Sequence, residues 1–279
     1  FDKIVKICCG TGCVSSGALD VFQALSASVD GSGLSGRVLV KKTGCHGLCE
    51  RGPIVVFGDD EILYQSVGKR KLDDDIVLLM DTIKEDKVAE KFLYKAPGSD
   101  RSFRAPGDIP FYSGQKRIVL ALNGVIDPES IEEYIFLGGY RGLEKALAME
   151  PDEIIEWVAR SGLRGRGGGG FATGRKWESC RSAEGGVKYV LANGDEGDPG
   201  AFMDRSLMEG NPFSVLEGMT IGAYAIGAQQ GFIYVRDEYP LAVERLVKAI
   251  GAAEASGLLG HDILGTGFDF NIRIFRGGG

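Results

Sequence analysis

The period of the apolar and polar positions changes several times along this chain. DKIVKI (residues 2–7) alternates as a short strand does, while GALDVFQALSAS sets Leu19, Phe22 and Leu25 at helical spacing. GRVLVKKTG reads as a second strand. PIVVFGDDEILYQSV reads as a hairpin with Gly58-Asp59 at its turn, and DDDIVLLMDTIKED as a closing amphipathic helix. Strand, helix, strand, hairpin and helix in that order predict a thioredoxin-like α/β domain over residues 1–95. Residues 96–125, rich in Pro, Gly and Ser and without a sustained period, predict a linker or extended arm.

From residue 126 the alternation is between helices and strands. DPESIEEYIFLGGYRGLEKALA and EPDEIIEWVARSG read as two helices. Asp127-Pro128 and Pro151-Asp152 are start signals, and Glu129, Glu132 and Glu133 suit a first turn. A glycine run (162–174) follows, then a strand (VKYVLANG), an acidic turn (DEGDPG) and a helix (PFSVLEGMTIGAYAIG). A strand (GFIYVRD), a helix (PLAVERLVKAIGAAEA) and a last strand (FNIRIFRGGG) complete the pattern. Strands separated by helices predict a parallel or mixed sheet covered by helices, an α/β domain over 126–279.

Composition narrows the function classes. Lys+Arg 32 against Asp+Glu 39 gives a net charge of −7, which disfavours a nucleic-acid or anionic-membrane surface. No uncharged apolar run reaches the length that spans a bilayer, and no signal-peptide pattern is present, so the expectation is a cytoplasmic chain. Glycine is the outlier, 43 of 279 residues, or roughly double its usual share of about 7%. A start at Phe1 and an end in FRGGG directly after a strand suggest part of a longer polypeptide.

Five of the six cysteines (Cys8, Cys9, Cys13, Cys45, Cys49) fall within the first 49 residues. Without an export signal, such clustering points to metal or redox chemistry rather than a disulfide framework. Cys8-x4-Cys13 and Cys45-x3-Cys49 each lie at a strand exit among glycines, CCGTGC and TGCHGLC. Iron–sulfur clusters take four thiolates, and small residues let backbone amides approach and hydrogen-bond the sulfurs, which tunes the potential. Zinc ribbons favour two-residue spacing and fit less well, and inert thiols are the remaining alternative. Cys180, alone, reads as a packed thiol. His46 reads as a surface residue, with cluster tuning as the alternative, and neither His46 nor His261 has triad spacing.

Residues 162–177 read GLRGRGGGGFATGRKW. The G-x-G-x-x-G at Gly165, Gly167 and Gly170 follows a helix, so the Rossmann context fails; a P-loop fails because Arg175 precedes Lys176 and no Ser or Thr follows. What remains is a loop whose amides can face an anion or a flat ring, with Arg166, Arg175 and Lys176 adding charge. Phe171 and Trp177 argue for packing rather than a free linker. NGDEGDPGAFMDR (193–205) follows a strand and reads either as a solvated turn or as a loop accepting hydrogen bonds from ribose or ring N–H groups.

CxGTxC followed by CxGxC on a small fold resembles the thioredoxin-like 2Fe–2S domain of complex I and of the β subunits of NAD-linked hydrogenases and formate dehydrogenases. The resemblance implies Cys8, Cys13, Cys45 and Cys49 as cluster ligands, with Cys9 spare. DPESIEEYIFLGGYRGLEKAL, GLRGRGGGGFATGRKW, ANGDEGDPGAFMDR and GFIYVRDEYP, in this order, resemble the NADH-binding flavoprotein subunit of complex I and its counterparts in soluble hydrogenases.

That resemblance implies an electron-input subunit in which NAD(P)H passes a hydride to FMN and electrons leave singly through iron–sulfur clusters. The loop residues Gly165, Arg166, Gly167, Gly168, Gly170, Thr173 and Gly174 would line FMN and the stacked nicotinamide. Lys176 would approach the flavin, Asn193, Asp195 and Glu196 would bind its polar parts, and Phe171 would stack on the adenine. Glu196 and Lys176 are the residues implied nearest the chemistry; no side-chain nucleophile is expected. Asp198 stands where the family has Glu, near the ribose, and an acidic loop there favours NADH over NADPH. Gly169 and Ala172 replace the family's Ala and Pro, giving a looser loop, and Ser179 replaces a second adenine-facing aromatic. A 4Fe–4S cluster is implied in a C-terminal part beyond this sequence. The implied partners are other iron–sulfur or ferredoxin-like subunits and a catalytic hydrogenase or dehydrogenase subunit, in a hydrogenase, formate dehydrogenase or ferredoxin-linked bifurcating complex. Both domains on one chain favour a soluble enzyme over complex I. The alternative is a non-catalytic iron–sulfur or zinc-bearing docking module.

Overall fold

Val5 and Ile7 are wholly buried on either side of Lys6, which keeps part of its side chain in solvent, and this alternation forms β1 (Lys3–Cys8). The computed structural model describes residues 1–58, 61–98 and 100–278. They fall into two units: Phe1–Pro128 with Glu209–Asn211, and Glu129–Met208 with Pro212–Gly279. In the first, a single turn, α1 (Thr11–Val14), leads into α2 (Ala18–Gly31). The buried stripe of α2 is Ala18, Val21, Leu25 and Val29; Leu19, expected inside, is exposed. β2 (Val38–Thr43) returns parallel to β1, in register from Lys3↔Val38 to Cys8↔Thr43. β3 (Val55–Phe57) pairs antiparallel with β1, and β4 (Ile62–Tyr64) antiparallel with β3. Gly58 holds the left-handed conformation that opens the hairpin (φ +63°), while Asp59 lies outside the described residues.

The strand order β2-β1-β3-β4, with α3 (Leu72–Glu85) packed against α2, is the expected thioredoxin-like arrangement. Both cysteine-bearing loops leave the same end of the sheet, because β1 and β2 are parallel and terminate side by side. The segment after α3 carries its own structure: β5 (Tyr94–Lys95) pairs with β6 (Ser102–Phe103), and α4 (Pro110–Ser113) follows. Phe103 and Ile109 are buried in the core of this unit.

The second unit opens with α5 (Ile131–Phe136) and α6 (Arg141–Leu147), where the sequence pattern predicts one helix. The break is at Gly138 (φ +97°) and Tyr140 (φ +62°). It is held by the buried carboxylate of Glu217, which accepts from the Tyr134 hydroxyl (2.6 Å) and from the Tyr140 and Leu143 amides (2.9 and 3.1 Å). The helix begins one turn after Asp127-Pro128, with Ser130 as its cap, its Oγ accepting from the Glu133 amide at 3.2 Å. α7 (Pro151–Ser161) has Pro151 in its first turn and a reciprocal Glu150/Glu153 capping box.

α8 (Thr173–Ser182) precedes β7 (Tyr189–Gly194). A helix that the sequence pattern does not predict, α9 (Met203–Gly210), follows the acidic turn, and then come α10 (Pro212–Ile226), β8 (Gln230–Arg236), α11 (Pro240–Ala255) and β9 (Asn271–Gly277). β7, β8 and β9 form a wholly parallel sheet in chain order. The apolar α10 is its central cover and packs on α6, α7, α8, β7 and β8. No described helix is long and apolar enough to cross a membrane.

Candidate functional site: a buried thiol group and a glycine loop

Cys8 is the last residue of β1, Cys13 lies in α1, and Cys45 and Cys49 follow β2. Cys8, Cys13 and Cys45 are buried and Cys49 is partly exposed. Their sulfurs form a chain in which Cys8 contacts both Cys13 and Cys45, and Cys45 Sγ lies 3.4 Å from Cys49 Sγ. The Gly47 amide donates to Cys45 Sγ at 3.3 Å. Hydrogen bonds with Cys13 and Cys45, followed by burial, push the Cys8 thiol well up. Hydrogen bonds from Cys49 and then Cys8 pull Cys45 well down, and Cys13 is lowered chiefly by Cys8.

Three glycines make the enclosure. A Cβ on Gly10 would come 2.8 Å from Cys45 Cβ, one on Gly12 2.8 Å from Cys49 Cβ, and one on Gly52 2.8 Å from Cys13 Sγ. Among the described residues no group of three or more His, Cys, Asp or Glu is arranged to hold a single metal ion. Four thiols in two adjoining pairs, with backbone amides admitted by glycine, fit the donor set of a two-iron cluster. Cys9 is wholly buried in the core beside them.

His46, expected at the surface, is buried. Gly124, at φ +81°, approaches so closely that a Cβ there would lie 2.5 Å from the imidazole. Burial first, then the Arg117 charge, lowers the His46 pKa to about 4. Its Nε2 has no hydrogen-bond partner among the described residues.

In the second unit the glycine run forms a short hairpin. Arg164 bridges Ala172, the Gly165 amide donates to the Phe171 carbonyl (2.8 Å), and the Thr173 amide donates to that of Leu163 (2.9 Å). At the tip Gly168 and Gly170 have positive φ (+96° and +58°). A Cβ at Gly167, Gly168, Gly169 or Gly170 would meet nothing within 4 Å, whereas one at Gly174 would strike the Ala159 backbone of α7 at 2.6 Å. The tip is therefore open and Gly174 is the pivot at which α7 and α8 touch. Arg166, Phe171, Arg175 and Lys176 are exposed, with the Arg175 guanidinium 5.9 Å from the Phe171 ring centre. The packing expected of Phe171 is absent; Trp177 does pack, against Gly222 of α10.

Asn193 is the penultimate residue of β7, its Oδ1 accepting from the Asp195 amide (2.9 Å). The Glu196 carboxylate caps α9, accepting from the Asp204 and Arg205 amides at 3.1 and 3.2 Å, and burial followed by the Glu196 charge pushes Asp204 up. Arg236, at the end of β8, donates to the Glu196 carbonyl (3.0 Å), as does the Tyr239 hydroxyl (3.3 Å). Arg236 Nε lies 3.9 Å from Asp195 Oδ1. Asp198 is exposed. Sequence alone does not disclose the anchoring role of Arg236, although GFIYVRDEYP carries it.

Loop and turn lie at one end of the sheet. Trp177 meets Gly222, and one turn onward Arg181 donates to the Ala225 carbonyl (3.3 Å), so α8 and α10 run in the same direction. α10 returns directly into β8, hence against the strands. The first turn of α8 therefore shares an end with the C-termini of β7 and β8, where open α/β sheets bind ligands and helix N-termini attract anions.

The sequence family described as the Nuo51 FMN-binding domain matches residues 158–279. The chain is 55% identical over 165 residues (59% of its length) to a protein named NADP-reducing hydrogenase subunit HndC from Solidesulfovibrio fructosivorans, and covers 34% of it. It is 50% identical over 150 residues (54% of its length) to a subunit of the NADH-quinone oxidoreductase of Aquifex aeolicus, covering 35%. It thus spans about a third of these relatives. The crystal structure of an NAD+-reducing [NiFe]-hydrogenase in the air-oxidized state aligns with the whole chain over 43% of its own, at 22% identity and a TM-score of 0.46.

Proposed function

We propose, from the match of residues 158–279 to the sequence family described as the Nuo51 FMN-binding domain, that the chain is the electron-input part of a multi-subunit oxidoreductase that binds FMN and NAD(H). The observation that supports this reading is the convergence of the open glycine tip, the first turn of α8 and the acidic turn at the carboxyl end of a parallel sheet. Flavin, when bound, would supply the exchange between two-electron and one-electron transfer. The chain's part is to bind and orient. The amides of Gly167, Gly168, Gly169 and Gly170 would face the ring system without Cβ obstruction, and Thr173 and Gly174 set the turn into α8. Lys176 brings positive charge toward the flavin. Asn193, Asp195 and Glu196 fix its polar edge, Glu196 through a turn already tied to α9 and β8. Phe171, exposed beside Arg175, offers a face for the adenine.

In the first unit Cys8, Cys13, Cys45 and Cys49 hold a 2Fe–2S cluster that carries single electrons. Asp198 would face the dinucleotide ribose and favour NADH, since a carboxylate repels a 2′-phosphate; the relative named as NADP-reducing makes this choice one for direct measurement. The setting is a cytoplasmic complex with other iron–sulfur subunits and a hydrogenase or dehydrogenase partner, formate-linked or bifurcating forms included, and a 4Fe–4S cluster in the wider chain.

Anaerobic reconstitution with FMN, iron and sulfide tests the reading. Expected are a flavin spectrum bleached by NADH more readily than by NADPH and the EPR signal of a reduced 2Fe–2S centre. Serine at Cys8, Cys13, Cys45 or Cys49 abolishes the signal and leaves flavin binding intact, while Cys9→Ser and Cys180→Ser keep both. A chain that binds no FMN, or six variants that all retain the signal, overturns the corresponding half.

A further inference from the structure

The segment from α4 onward reaches back onto the loop that carries Cys45. The Phe111 ring lies where a Cβ on Gly47 would touch it at 3.5 Å, and Gly124 closes on the His46 imidazole. Between them Arg117 spans the loop: Nη2 donates to the His46 carbonyl at 2.8 Å and Nη1 to the Asn123 carbonyl at 3.4 Å. Its guanidinium also lies 5.3 Å from the Tyr112 ring centre. His46, Tyr112, Arg117, Asn123 and Gly124 wall a cavity of about 170 Å³ together with Glu61. Glu61 is paired with Lys6 at 2.9 Å, so these two charges largely cancel and Arg117 supplies the net charge of this wall.

We propose that Arg117 is a positioning residue for the cluster of the first unit, clamping the Cys45 loop through the His46 carbonyl and raising the reduction potential with its charge. This role rests on the 2Fe–2S reading of the four thiols. The carbonyl Arg117 holds is one peptide from Cys45, so the guanidinium fork fixes where that sulfur stands. Adding an electron makes the cluster more negative, and a fixed cation nearby stabilises that state; within a partly buried wall the interaction is screened far less than in water. Lysine keeps the charge but cannot span two carbonyls with a rigid fork.

The test is a redox titration of the reconstituted full chain followed by EPR. Arg117→Gln is expected to lower the reduced-to-oxidised ratio at the wild-type midpoint about tenfold, equivalent to about 59 mV for a one-electron couple. Arg117→Lys recovers most of that shift while binding the cluster less completely than wild type. An unchanged potential in Arg117→Gln at full occupancy overturns the proposal, as does an Arg117→Lys variant shifted as far as Arg117→Gln. Should Arg117→Gln be folded by circular dichroism yet load no cluster, Arg117→Lys decides alone: near wild-type potential supports the assignment, and a full shift overturns it. A wild-type chain that shows no 2Fe–2S signal fails the cluster reading itself, an outcome distinct from any Arg117 result.

Discussion

Two glycines of the same loop do opposite work. Gly174 lies where a Cβ would sit 2.6 Å from Ala159 Cα, while Gly167 faces open space. Gly174→Ala therefore overpacks the α7–α8 contact and is expected to cost about 1–3 kcal/mol, read as a drop in thermal midpoint. Gly167→Ala should leave the midpoint within about 0.5 kcal/mol equivalents yet weaken FMN binding in a fluorescence titration; unchanged affinity would remove the tip from the ligand. The sequence shows a run of glycines but not which one carries a helix contact, because that depends on Ala159 across space. Glu196 teaches the same point. Its placement after a strand is legible, but its hold on the Asp204 and Arg205 amides is not, since α9 lies hidden behind an acidic turn.

At the scale of elements, period alone recovers the strands and long helices of both units. Alternation in β1 and the 3.6-residue stripe of α2 are local properties, and the chain states them directly. The break between α5 and α6 is only partly local. The apolar pattern runs on through residues 131–147, but Gly138, Gly139 and Gly142 weaken the helix there, and the carboxylate of Glu217, distant in sequence, fixes the break by capturing two amides and the Tyr134 hydroxyl. Burial first, then the hydrogen bond to Glu217, pushes the Tyr134 hydroxyl pKa up, which keeps it a neutral donor. Glu217→Ala would strand these donors at about 1–3 kcal/mol each. An overall loss of about 3 kcal/mol or more in urea denaturation is the expected outcome, and a loss below about 1 kcal/mol would show the break to be set by Gly138 and Tyr140 alone.

Over the whole molecule, composition and motif order are informative where chemistry is encoded by residue type. Four cysteines at strand exits and an open glycine tip are visible in the letters, and the fold brings each set together within its own unit. What the letters conceal is the work of the segment before residue 128. Its Pro, Gly and Ser content reads as a linker, yet it buries Phe103 and Ile109 and lays Arg117 on the Cys45 loop. Backbone carbonyls as partners leave no compositional trace, which is why this contact surfaces only in three dimensions.

The open tip also has a thermodynamic consequence. Glycines with open space around their Cβ positions have little packing to hold them, and a ligand that orders them must offset roughly 1–2 kcal/mol of backbone entropy for each. Flavin binding should thus carry an adverse entropy in calorimetry. Ala172 is where that cost can be lowered: its φ of −65° is proline's own, and its amide donates no hydrogen bond among the described residues. Ala172→Pro is expected to raise stability by about 0.4–1 kcal/mol and to make the binding entropy less adverse while the enthalpy stays nearly constant. An unchanged entropy would mean that the loop is already rigid before its ligand arrives.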